Sequence, residues 1–571
     1  MTRPPIGRYE RLAAEVHEWD PRVIDVASRV AAIVNERRPR LDVQHIGSTA
    51  VPGLPGKGIV DLAAQVEPVD VPAVTELLLG LGFQRQPGPD PWPASRPMLV
   101  GALEHDGESF RIHFHVEPRG HRVFGGGYQR EIRFRDALRA DPGLVREYAE
   151  MKRAIVSDSP DGRAEALAYT HAKTAWIRDV YRRMGMGLDA VLPPATIGIL
   201  GGGQLGRMLG LAARELGYRI AVLDPDPHCP AAAVAEHVEV GGYDDVAAAG
   251  RLGERSDVVT YELEHVSAAL VDALEEQVPV RPGGYPLRVT QDRLAERRFL
   301  ARYAIPSAPW REVVEPIDVR AAAEELGLPL RLKAAVGGYD GRRQLRIATG
   351  ADVARASERL RADVGGAAIA ERDLDFETEL SVIVARGLDG STRAYPVARN
   401  RHDGGILVET VVPAPVLDVV AAAAVELAER MATYLGLVGL LTVELFLMPD
   451  GSLVVNELAP RVHNSGHWTI EGAATSQFEQ HVRAICGLPL GGTEPLAPAA
   501  AMVNLLGVGA EREARPTGVD AALETEGAHL HLYDKRLVRE RRKMGHVTAL
   551  GRSVDEALAT ARAAAARLGW A

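Results

Sequence analysis

Residues 440–469, LLTVELFLMPDGSLVVNELAPRVHNSGHWT, contain the pattern that decides the fold of most of the chain. The apolar runs LLTVELFLM and SLVVNEL flank Asp450-Gly451, a dipeptide that favours a two-residue hairpin turn and would place Glu444 opposite Glu457. Facing side chains lie roughly 5 Å apart, and two carboxylates that close repel unless a cation separates them. Two hard oxygen ligands suit Mg²⁺. We therefore predict a magnesium site at Glu444 and Glu457, the alternative being a chance surface pair.

Polar side chains crowd the segment that follows this hairpin. Arg461, His463 and Asn464 stand in a stretch that has neither helical nor strand periodicity, and loops of this kind often carry function. Because they follow the predicted magnesium ligands directly, we expect all three near a phosphate bound to the metal, where a fixed arginine and polar donors could hold a small anion. A purely structural role for His463 stays open.

The same segment carries a family resemblance. NELAPRVHNSGHWT, followed by SQFEQH (476–481) and GLPL (487–490), resembles the 5-(carboxyamino)imidazole ribonucleotide synthases, which are ATP-grasp enzymes of purine biosynthesis. The resemblance implies ATP and Mg²⁺ as cofactors, with 5-aminoimidazole ribonucleotide (AIR) and bicarbonate as substrates. It also implies catalytic roles for Arg461, His463 and Asn464 toward bicarbonate and carboxyphosphate, and suggests a homodimer.

Composition narrows the class of protein. The 571 residues predict three or four domains, and Lys plus Arg number 66 against 77 Asp plus Glu, a net charge of −11 that argues against nucleic acid or anionic membrane as partners. Cys229 and Cys486 are far apart, and no apolar signal segment appears near the N-terminus. We expect a soluble cytoplasmic protein.

An N-terminal region is predicted over residues 1–185. HIGSTAVPGLPGKGIVDL (45–62) and RIHFHV (111–116) resemble the GrpB-like family, whose fold is related to nucleotidyltransferases. Metal-dependent nucleotidyl transfer needs two or three carboxylates and a turn that grips phosphate. Ala63 stands where a second carboxylate would share the strand face of Asp61, so we favour a phosphate- or nucleotide-binding role over transferase chemistry. The candidate site residues are Gly47, Ser48, Asp61, His113 and His115, the two histidines being either metal ligands or hydrogen-bonded residues.

A linker over residues 186–194, rich in glycine and proline, precedes a region predicted over 195–290. GGGQLG (201–206) follows a strand, opens a helix and satisfies a dinucleotide fingerprint with Asp224, so an NAD-linked oxidoreductase is one alternative function. The wider text resembles the first domain of the synthases. That resemblance implies that Gly203, Gln204 and Leu205 contact the substrate and that Glu262 lies near it, whereas Glu262 could also be a solvated strand end.

The ATP-grasp region is predicted over residues 291–495. LPLRLK (328–333) reads as a strand that delivers Lys333 beside a glycine-rich loop, GGYDG (337–341), a combination that neutralises and covers phosphates. The resemblance implies nucleotide contacts at Arg297, Lys333, Glu371 and Glu379, and AIR contacts at Tyr339, Asp340 and Arg342. Arg343 stands where the family usually has glycine and Arg297 where it usually has lysine, so either could slow turnover.

A C-terminal region is predicted over residues 496–571, with strands at 501–507 and 529–535 and a helix at 554–568. The run VRERRKMGHV (538–547) is basic within an acidic protein, which favours a phosphate ligand. The resemblance implies that Lys535 and Arg542 hold the substrate 5′-phosphate.

Together these patterns predict a multidomain α/β and α+β protein. The order is a nucleotidyltransferase-like domain, a Rossmann-like pre-ATP-grasp domain, an ATP-grasp domain and a small β-rich C-terminal domain. Besides the oxidoreductase, a non-catalytic ATP-binding scaffold is the other alternative.

Overall fold

The chain divides into two compact units in a computed structural model, residues 1–188 and residues 189–571. The structure describes residues 4–10, 16–86, 96–119, 127–157, 176–177, 180–181, 183–184, 190–337, 343–364 and 367–571. Three predicted substrate contacts, Tyr339, Asp340 and Arg342, lie outside these residues. Within the described parts of the chain, no helix is both long and apolar enough to cross a membrane.

The N-terminal unit is built on a five-stranded sheet. Its strands and helices in chain order are α1 (Arg22–Arg37), β1 (Val43–Ile46), β2 (Val60–Val66), α2 (Val71–Gly80), β3 (Gln84–Arg85), β4 (Met98–His105), β5 (Glu108–Pro118), α3 (Gly127–Ala140) and α4 (Pro142–Ser157). The sheet order is β1-β2-β5-β4-β3, and only β2 and β5 run parallel. Val26, Val30 and Val34 recur at helical spacing on α1 and pack against the apolar face of this sheet.

The second unit begins with a parallel sheet. Its elements are β6 (Thr196–Leu200), α5 (Gln204–Glu215), β7 (Arg219–Asp224), β8 (His237–Val240), α6 (Val246–Arg255), β9 (Val258–Tyr261), α7 (Ala268–Glu275) and α8 (Gly284–Thr290). The order β8-β7-β6-β9 is parallel throughout. Strands β6, β7 and β9 are largely buried, as strands covered by helices on both faces must be, whereas the edge strand β8 is partly exposed. The carboxyl ends of β6 and β9 therefore meet at one edge, beside the glycine loop.

Two antiparallel sheets follow. The first has the order β10-β13-β11-β12, and the second has nine strands that continue without interruption into the C-terminal region. The elements up to that region are α9 (Arg293–Arg302), β10 (Trp310–Val313), α10 (Pro316–Leu326), β11 (Leu330–Ala334), β12 (Gln344–Ile347), α11 (Gly350–Val364), β13 (Ala368–Arg372), β14 (Thr378–Arg386), β15 (Thr392–Ala394), β16 (Ala398–Asp403), β17 (Ile406–Val412), α12 (Asp418–Tyr434), β18 (Gly439–Leu447), β19 (Leu453–Ala459), α13 (Thr469–Gly472) and α14 (Gln477–Ile485).

The C-terminal strands extend the nine-stranded sheet in the order β19-β18-β14-β16-β17-β20-β25-β23, with β15 on β14. The remaining elements are β20 (Ala499–Leu506), β21 (Arg512–Glu513), β22 (Pro516–Thr517), α15 (Val519–Leu523), β23 (Ala528–Leu532), β24 (Leu537–Val538), β25 (Lys543–Gly551), α16 (Val554–Ala565) and β26 (Gly569–Trp570). The predicted 529–535 strand ends earlier, at Leu532, so Lys535 lies in the turn that follows it.

The β18–β19 hairpin places Glu444 opposite Glu457, although its turn differs from the predicted one. Leu447 pairs with Leu453, and the loop between them is closed by Met448 N–H donating to the Ser452 carbonyl at 2.9 Å. A register shift next to Glu444 makes Asn456 an extra, bulged residue on β19. Compared with a two-residue turn, the longer loop shifts the strand pairing by one residue, and the bulge shifts it back. Glu444 therefore faces Glu457 as predicted, but through a different loop and a bulge that were not predicted.

Candidate active site

A cleft of about 1130 Å³ lies in the second unit, lined by residues from its parallel sheet, both antiparallel sheets and the C-terminal strands. Twelve of the predicted site residues line it: Gln204, Leu205, Glu262, Arg297, Lys333, Glu371, Glu379, Glu444, Glu457, Arg461, His463 and Asn464. Gly203, Lys535 and Arg542 are not among its lining residues. The cleft thus gathers side chains that are up to 339 positions apart in sequence, as Gln204 and Lys543 are.

The facing carboxylates of Glu444 and Glu457 form an electrostatically unequal pair. Burial and the charge of Glu457 raise the pKa of Glu444 to about 7. Burial also acts to raise the pKa of Glu457, but the positive charges of Arg293 and Lys333 outweigh it and lower that pKa. Arg293 Nη1 lies 3.3 Å from Glu457 Oε2. A divalent cation fits this donor set, because it would supply the positive charge that Glu444 lacks.

These two carboxylates would be the only protein ligands of such a cation in the described structure. Among the described residues, no three His, Cys, Asp or Glu side chains are arranged to hold a metal ion. A two-carboxylate site with the other positions left to water and phosphate is the arrangement that Mg²⁺ adopts in nucleotide enzymes.

Lys333 and Arg297 both bind Glu371, which lies on β13. Lys333 Nζ is 2.6 Å from Glu371 Oε2, and Arg297 Nε donates to Glu371 Oε1 at 2.6 Å. Burial alone would raise the pKa of Glu371, but the two cations outweigh it and lower that pKa to about 2. Arg297 also donates to Glu296 Oε1 and to the carbonyl of the bulged Asn456, so three of its nitrogens bind protein groups.

Glu379 is paired with a residue that the sequence analysis missed. His402, on β16, contacts Glu379 through Nδ1, and both side chains line the cleft. Burial lowers the pKa of His402, but the hydrogen bond to Glu379 and the charge of Glu444 outweigh it and raise that pKa. The segment NRHDGG offered one signal, a histidine just before a glycine turn. Its partner depends on the pairing of β14 with β16, which the sequence pattern does not reveal.

Arg461 is held by Glu264, a second residue that sequence reasoning missed. Arg461 Nη2 lies 2.7 Å from Glu264 Oε1, and Nη1 donates to the Val462 carbonyl at 2.9 Å. Its Nε is buried and has no hydrogen-bond partner in the described part of the chain, and the same is true of both amide atoms of Asn464. Buried polar groups are nearly always hydrogen-bonded. These unpaired groups therefore mark a place where a polar ligand fits.

His463 is a neutral imidazole with one tautomer favoured by its contacts. Burial, together with the charges of Arg461 and Lys543, lowers the pKa of His463 well below its ordinary value. The Ser465 backbone N–H donates to His463 Nδ1 at 3.3 Å, so Nδ1 is the acceptor and Nε2 carries the proton. Nε2 lies 3.4 Å from Glu444 Oε1, which directs this N–H toward the carboxylate pair.

The glycine loop is occupied by side chains of its own unit. Gly203 N–H donates to Glu262 Oε1 at 2.5 Å, and Gly206 N–H donates to Glu262 Oε2. Burial raises the pKa of Glu262, partly offset by these two amide hydrogen bonds. Asp224 accepts from Gly202 N–H and from the Tyr243 hydroxyl, both at 2.7 Å. The amides and the acidic residue that would hold a dinucleotide are thus already bonded within the protein.

The two predicted phosphate-binding residues of the C-terminal region bind backbone carbonyls. Lys535 Nζ donates to the Lys543 carbonyl at 2.7 Å and lies over the Tyr533 ring, while Arg542 Nη1 donates to the Leu537 carbonyl at 2.6 Å. Lys543, at the start of β25, lines the cleft instead. It belongs to the basic run that was predicted to meet phosphate, but it was not singled out there.

The N-terminal candidate residues also come together. Asp61 lies directly beside His113 on the paired strand, with its Oδ1 3.4 Å from His113 Nδ1 and 3.9 Å from His115 Nε2. Burial acts to raise the pKa of Asp61, but both histidines outweigh it and lower that pKa. Gly47 has φ +71°, and a Cβ there would lie 2.5 Å from Asp61 Oδ2, so only glycine fits this turn. Ser48 follows it in the chain.

Comparisons with known families divide the chain into four parts. Residues 298–478 match the ATP-grasp domain and residues 194–291 the ribonucleotide synthetase preATP-grasp domain. Residues 500–560 match the phosphoribosylaminoimidazole carboxylase C-terminal domain, and residues 11–183 match the GrpB protein family.

Individual relatives agree with this division. The N5-carboxyaminoimidazole ribonucleotide synthase of Brucella melitensis is 44% identical over 365 residues, which are 64% of this chain and 99% of that protein. The chain belongs to the N5-carboxyaminoimidazole ribonucleotide synthase family. Its synthase part is an ATP-grasp ligase of purine biosynthesis, joined to an N-terminal GrpB region of unknown role. The chain also matches the bifunctional purine synthesis protein purC/E of Dictyostelium discoideum, with 41% identity, but spans only 37% of its length.

Solved structures of synthases resemble the second unit. A synthetase crystallised as an ADP complex has a TM-score of 0.62 and 42% identity, covering 66% of this chain and 98% of that one. The Aspergillus clavatus synthase, in complex with ADP and 5-aminoimidazole ribonucleotide, has a TM-score of 0.60 and 33% identity, covering 65% and 98% of the two chains. Membership of the synthase family overturns the oxidoreductase alternative. The glycine loop matches the dinucleotide fingerprint in sequence, but its amides are already hydrogen-bonded to Glu262 and Asp224.

Proposed function

We propose that the synthase part uses ATP to carboxylate AIR with bicarbonate, by way of carboxyphosphate. Phosphorylation of bicarbonate by ATP would give ADP and carboxyphosphate, and the exocyclic amine of AIR would take up the carboxyl group as phosphate departs. The observation that carries this proposal is the position of unpaired anion-binding groups, Arg461 Nε and the Asn464 amide, in the same cleft as the facing carboxylates. The Aspergillus synthase, crystallised with ADP and AIR, supports the choice of substrates.

ATP and Mg²⁺ would share one end of the cleft. Mg²⁺, held by Glu444 and Glu457, would neutralise phosphate charge. Lys333, fixed by Glu371 at 2.6 Å, places a partly buried ammonium in the lining of the same cleft. We assign Glu371 and Glu379 to the nucleoside end, with His402 beside Glu379. Arg297, 1% exposed, has all three nitrogens engaged by the protein, so its part in ATP binding would rest on the second N–H groups of Nη1 and Nη2.

Arg461 would bind bicarbonate first and carboxyphosphate afterwards. Its Nη2 is held by Glu264, while its Nε is buried and unpaired among the described residues, so the guanidinium is fixed and keeps a donor for an anion. Charge-assisted hydrogen bonds of this kind are the strong ones, and a site that excludes water makes them stronger. We also propose that His463 donates a hydrogen bond from Nε2 close to the carboxylate pair, and that the Asn464 amide binds the same bicarbonate or carboxyphosphate as Arg461.

AIR would lie toward the parallel sheet and the C-terminal strands. Gln204, Leu205 and Glu262 line the cleft, and Lys543 also lines it, with its positive charge acting on Glu444 and His463. The predicted roles of Gly203, Tyr339, Asp340, Arg342, Lys535 and Arg542 stay proposals supported by the family resemblance. Lys535 and Arg542 would have to leave their backbone carbonyls to reach a phosphate.

We also propose several features of the domain organisation, assembly and location of the protein. They are the bounds 1–185, 186–194, 195–290, 291–495 and 496–571, the relation of the N-terminal region to nucleotidyltransferases, the Rossmann-like fold of the second region, a homodimer and a cytoplasmic location. For the GrpB region we propose phosphate or nucleotide binding at Gly47, Ser48, Asp61, His113 and His115. Their convergence on Asp61 supports a single site.

The decisive experiment measures ADP release from MgATP and bicarbonate, with and without AIR, in wild type and Glu457→Gln. The proposal requires AIR-stimulated release that falls by at least a hundredfold in the variant. A Glu426→Gln variant changes an exposed glutamate on α12 and serves as the matched control. ADP release that ignores AIR would refute the substrate assignment, and no release by wild type would favour the scaffold alternative.

A further inference from the structure

The N-terminal unit contains a second cavity, of about 740 Å³, away from the Asp61 cluster. It lies between α1, the face of β1 and β2 that carries His45 and Leu62, and the corner where α3 meets α4. Asp61 is adjacent to Leu62 on a strand and therefore points to the opposite face of the sheet. The volume falls in the range of small-molecule sites, which are mostly apolar with a few placed polar groups.

Small side chains create this space. Ala27 and Ala31 on α1 and Ala50 after β1 line the cavity where larger residues would fill it. Val51 and Leu138, each at most 2% exposed, form part of its wall. An apolar wall at the core of a unit favours an apolar ligand body, because burial of such a body removes its surface from water.

Positive charge borders the cavity without an acidic counterpart among its lining residues. Arg139 and Arg146 line it, and no Asp or Glu does. Arg139 Nε donates to the Ala50 carbonyl at 2.8 Å, which fixes the guanidinium against the cavity wall. Arg146 is exposed and makes no hydrogen bond or ion pair through its side chain within the described residues.

Asp136 and Asp141, which are close to Arg139 in sequence, make contacts of their own. Asp136 binds Arg135 Nε at 2.8 Å and lies 3.8 Å from Arg139, so it shares one charge between two arginines. Asp141 accepts from the backbone N–H groups of Gly143 and Leu144 at the start of α4. Burial and the charge of Arg135 lower the pKa of Arg139, as expected where positive charge is in excess.

His45 adds a neutral polar group to the wall. Thr49 Oγ1 donates to the Ile59 carbonyl, so it accepts from His45 Nε2 at 3.0 Å, and His45 Nδ1 is left as an acceptor. Burial lowers the pKa of His45 to about 4. The imidazole is therefore uncharged at neutral pH, and the cationic groups of the cavity are the two arginines.

We propose that this cavity binds an amphipathic monoanion, a molecule with an apolar body and one anionic head group. The body would pack among Ala27, Leu62 and Leu138, and the head group would bind Arg139 and Arg146. A polyphosphate would need more cations than two, and a nucleobase would need more hydrogen-bonding groups than these walls offer. The proposal is independent of the synthase reaction and of the Asp61 site.

Isothermal titration calorimetry on the full chain tests it with three probes. Octanoate has both the body and the charge, 1-octanol has the body alone, and acetate has the charge alone. We expect octanoate to bind at one site per chain about tenfold more tightly than 1-octanol, as the loss of a charge-assisted hydrogen bond requires. Acetate should bind undetectably. Equal affinity for octanoate and 1-octanol, or no octanoate binding, would overturn the proposal.

Variants locate the site. Arg146→Gln should weaken octanoate about tenfold and leave 1-octanol unchanged, whereas Arg133→Gln, an exposed arginine of α3 outside the cavity, should change neither. Ala27→Leu should abolish binding of both by filling the cavity. The far-UV circular dichroism spectrum reports whether each variant is folded, and ADP release by the synthase part reports that the second unit is intact. If octanoate binds equally well to Arg146→Gln, the site lies elsewhere and the proposal is wrong.

Discussion

Replacing Glu444 by glutamine should make the ligand-free hairpin more stable while it removes activity. The reason is that burial and Glu457 raise the pKa of Glu444 from 4.5 to about 7. At about 1.4 kcal/mol for each tenfold change, keeping Glu444 ionised at pH 8 costs the folded state about 3 kcal/mol. Glutamine has nearly the same shape without the charge, so the variant should regain most of that free energy.

The sign of the pH dependence follows from the raised pKa. Between pH 4.5 and about 7 the folded state holds a proton that the unfolded state has lost, so the stability of the wild type falls as pH rises through this window. The advantage of Glu444→Gln should therefore be about 3 kcal/mol at pH 8 and less than about 1 kcal/mol at pH 5.

Hydrogen exchange of the β18 and β19 amides measures this locally, which matters because a chain of several domains has no single unfolding free energy. The experiment compares wild type, Glu444→Gln and the control Glu426→Gln, free of metal and with MgATP. MgATP should protect the wild-type hairpin and not that of the variant. If Glu444→Gln leaves exchange at pH 8 unchanged, or keeps AIR-stimulated ADP release, the unequal-pair argument is refuted.

Three further predictions concern neighbouring residues. A proton competes with Mg²⁺ for Glu444, so the Mg²⁺ concentration for half-maximal ADP release should rise up to tenfold per pH unit below about 7 and stay constant above it. Glu264→Gln should raise KM for bicarbonate at least tenfold with KM for ATP unchanged, and Glu264→Asp should restore part of the loss. Arg343 has φ +55°, a backbone conformation that glycine adopts without strain. Arg343→Gly should therefore raise the free energy of local opening, measured by hydrogen exchange of the β12 amides, by about 1 kcal/mol, whereas Arg343→Ala should leave it unchanged.

The β18–β19 hairpin shows which features of the fold can be predicted from the local sequence pattern. Apolar runs on either side of Asp450-Gly451 were enough to predict two paired strands, and pairing was enough to put Glu444 near Glu457. The five-residue loop and the bulge at Asn456 were not predictable, because the sequence of β19 alone does not show that Arg297 binds the Asn456 carbonyl from another element.

The two site residues that sequence reasoning missed both depend on contacts between separate elements of the fold. His402 and Glu264 belong to the site only because β16 pairs with β14 and because the end of β9 faces the segment after β19. Each contact joins positions that are distant in sequence, and neither strand contains a signal for its partner. The dinucleotide alternative at the glycine loop could not be rejected from the sequence for the same reason, since Glu262 reaches the loop from 56 to 59 positions away.

Sequence also cannot distinguish an arginine whose three nitrogens all bind protein groups from one that keeps an unpaired nitrogen. Arg297 and Arg461 both look like anion ligands in the sequence. In the structure Arg297 Nε, Nη1 and Nη2 each bind a protein oxygen, whereas Arg461 Nε is buried and unpaired among the described residues. An unpaired buried donor costs free energy that a ligand can recover, so affinity for an anion should reside at Arg461. Arg297 could offer a ligand only the second N–H groups of Nη1 and Nη2, and its charge is already paired with Glu296 and Glu371, which makes it the less effective of the two.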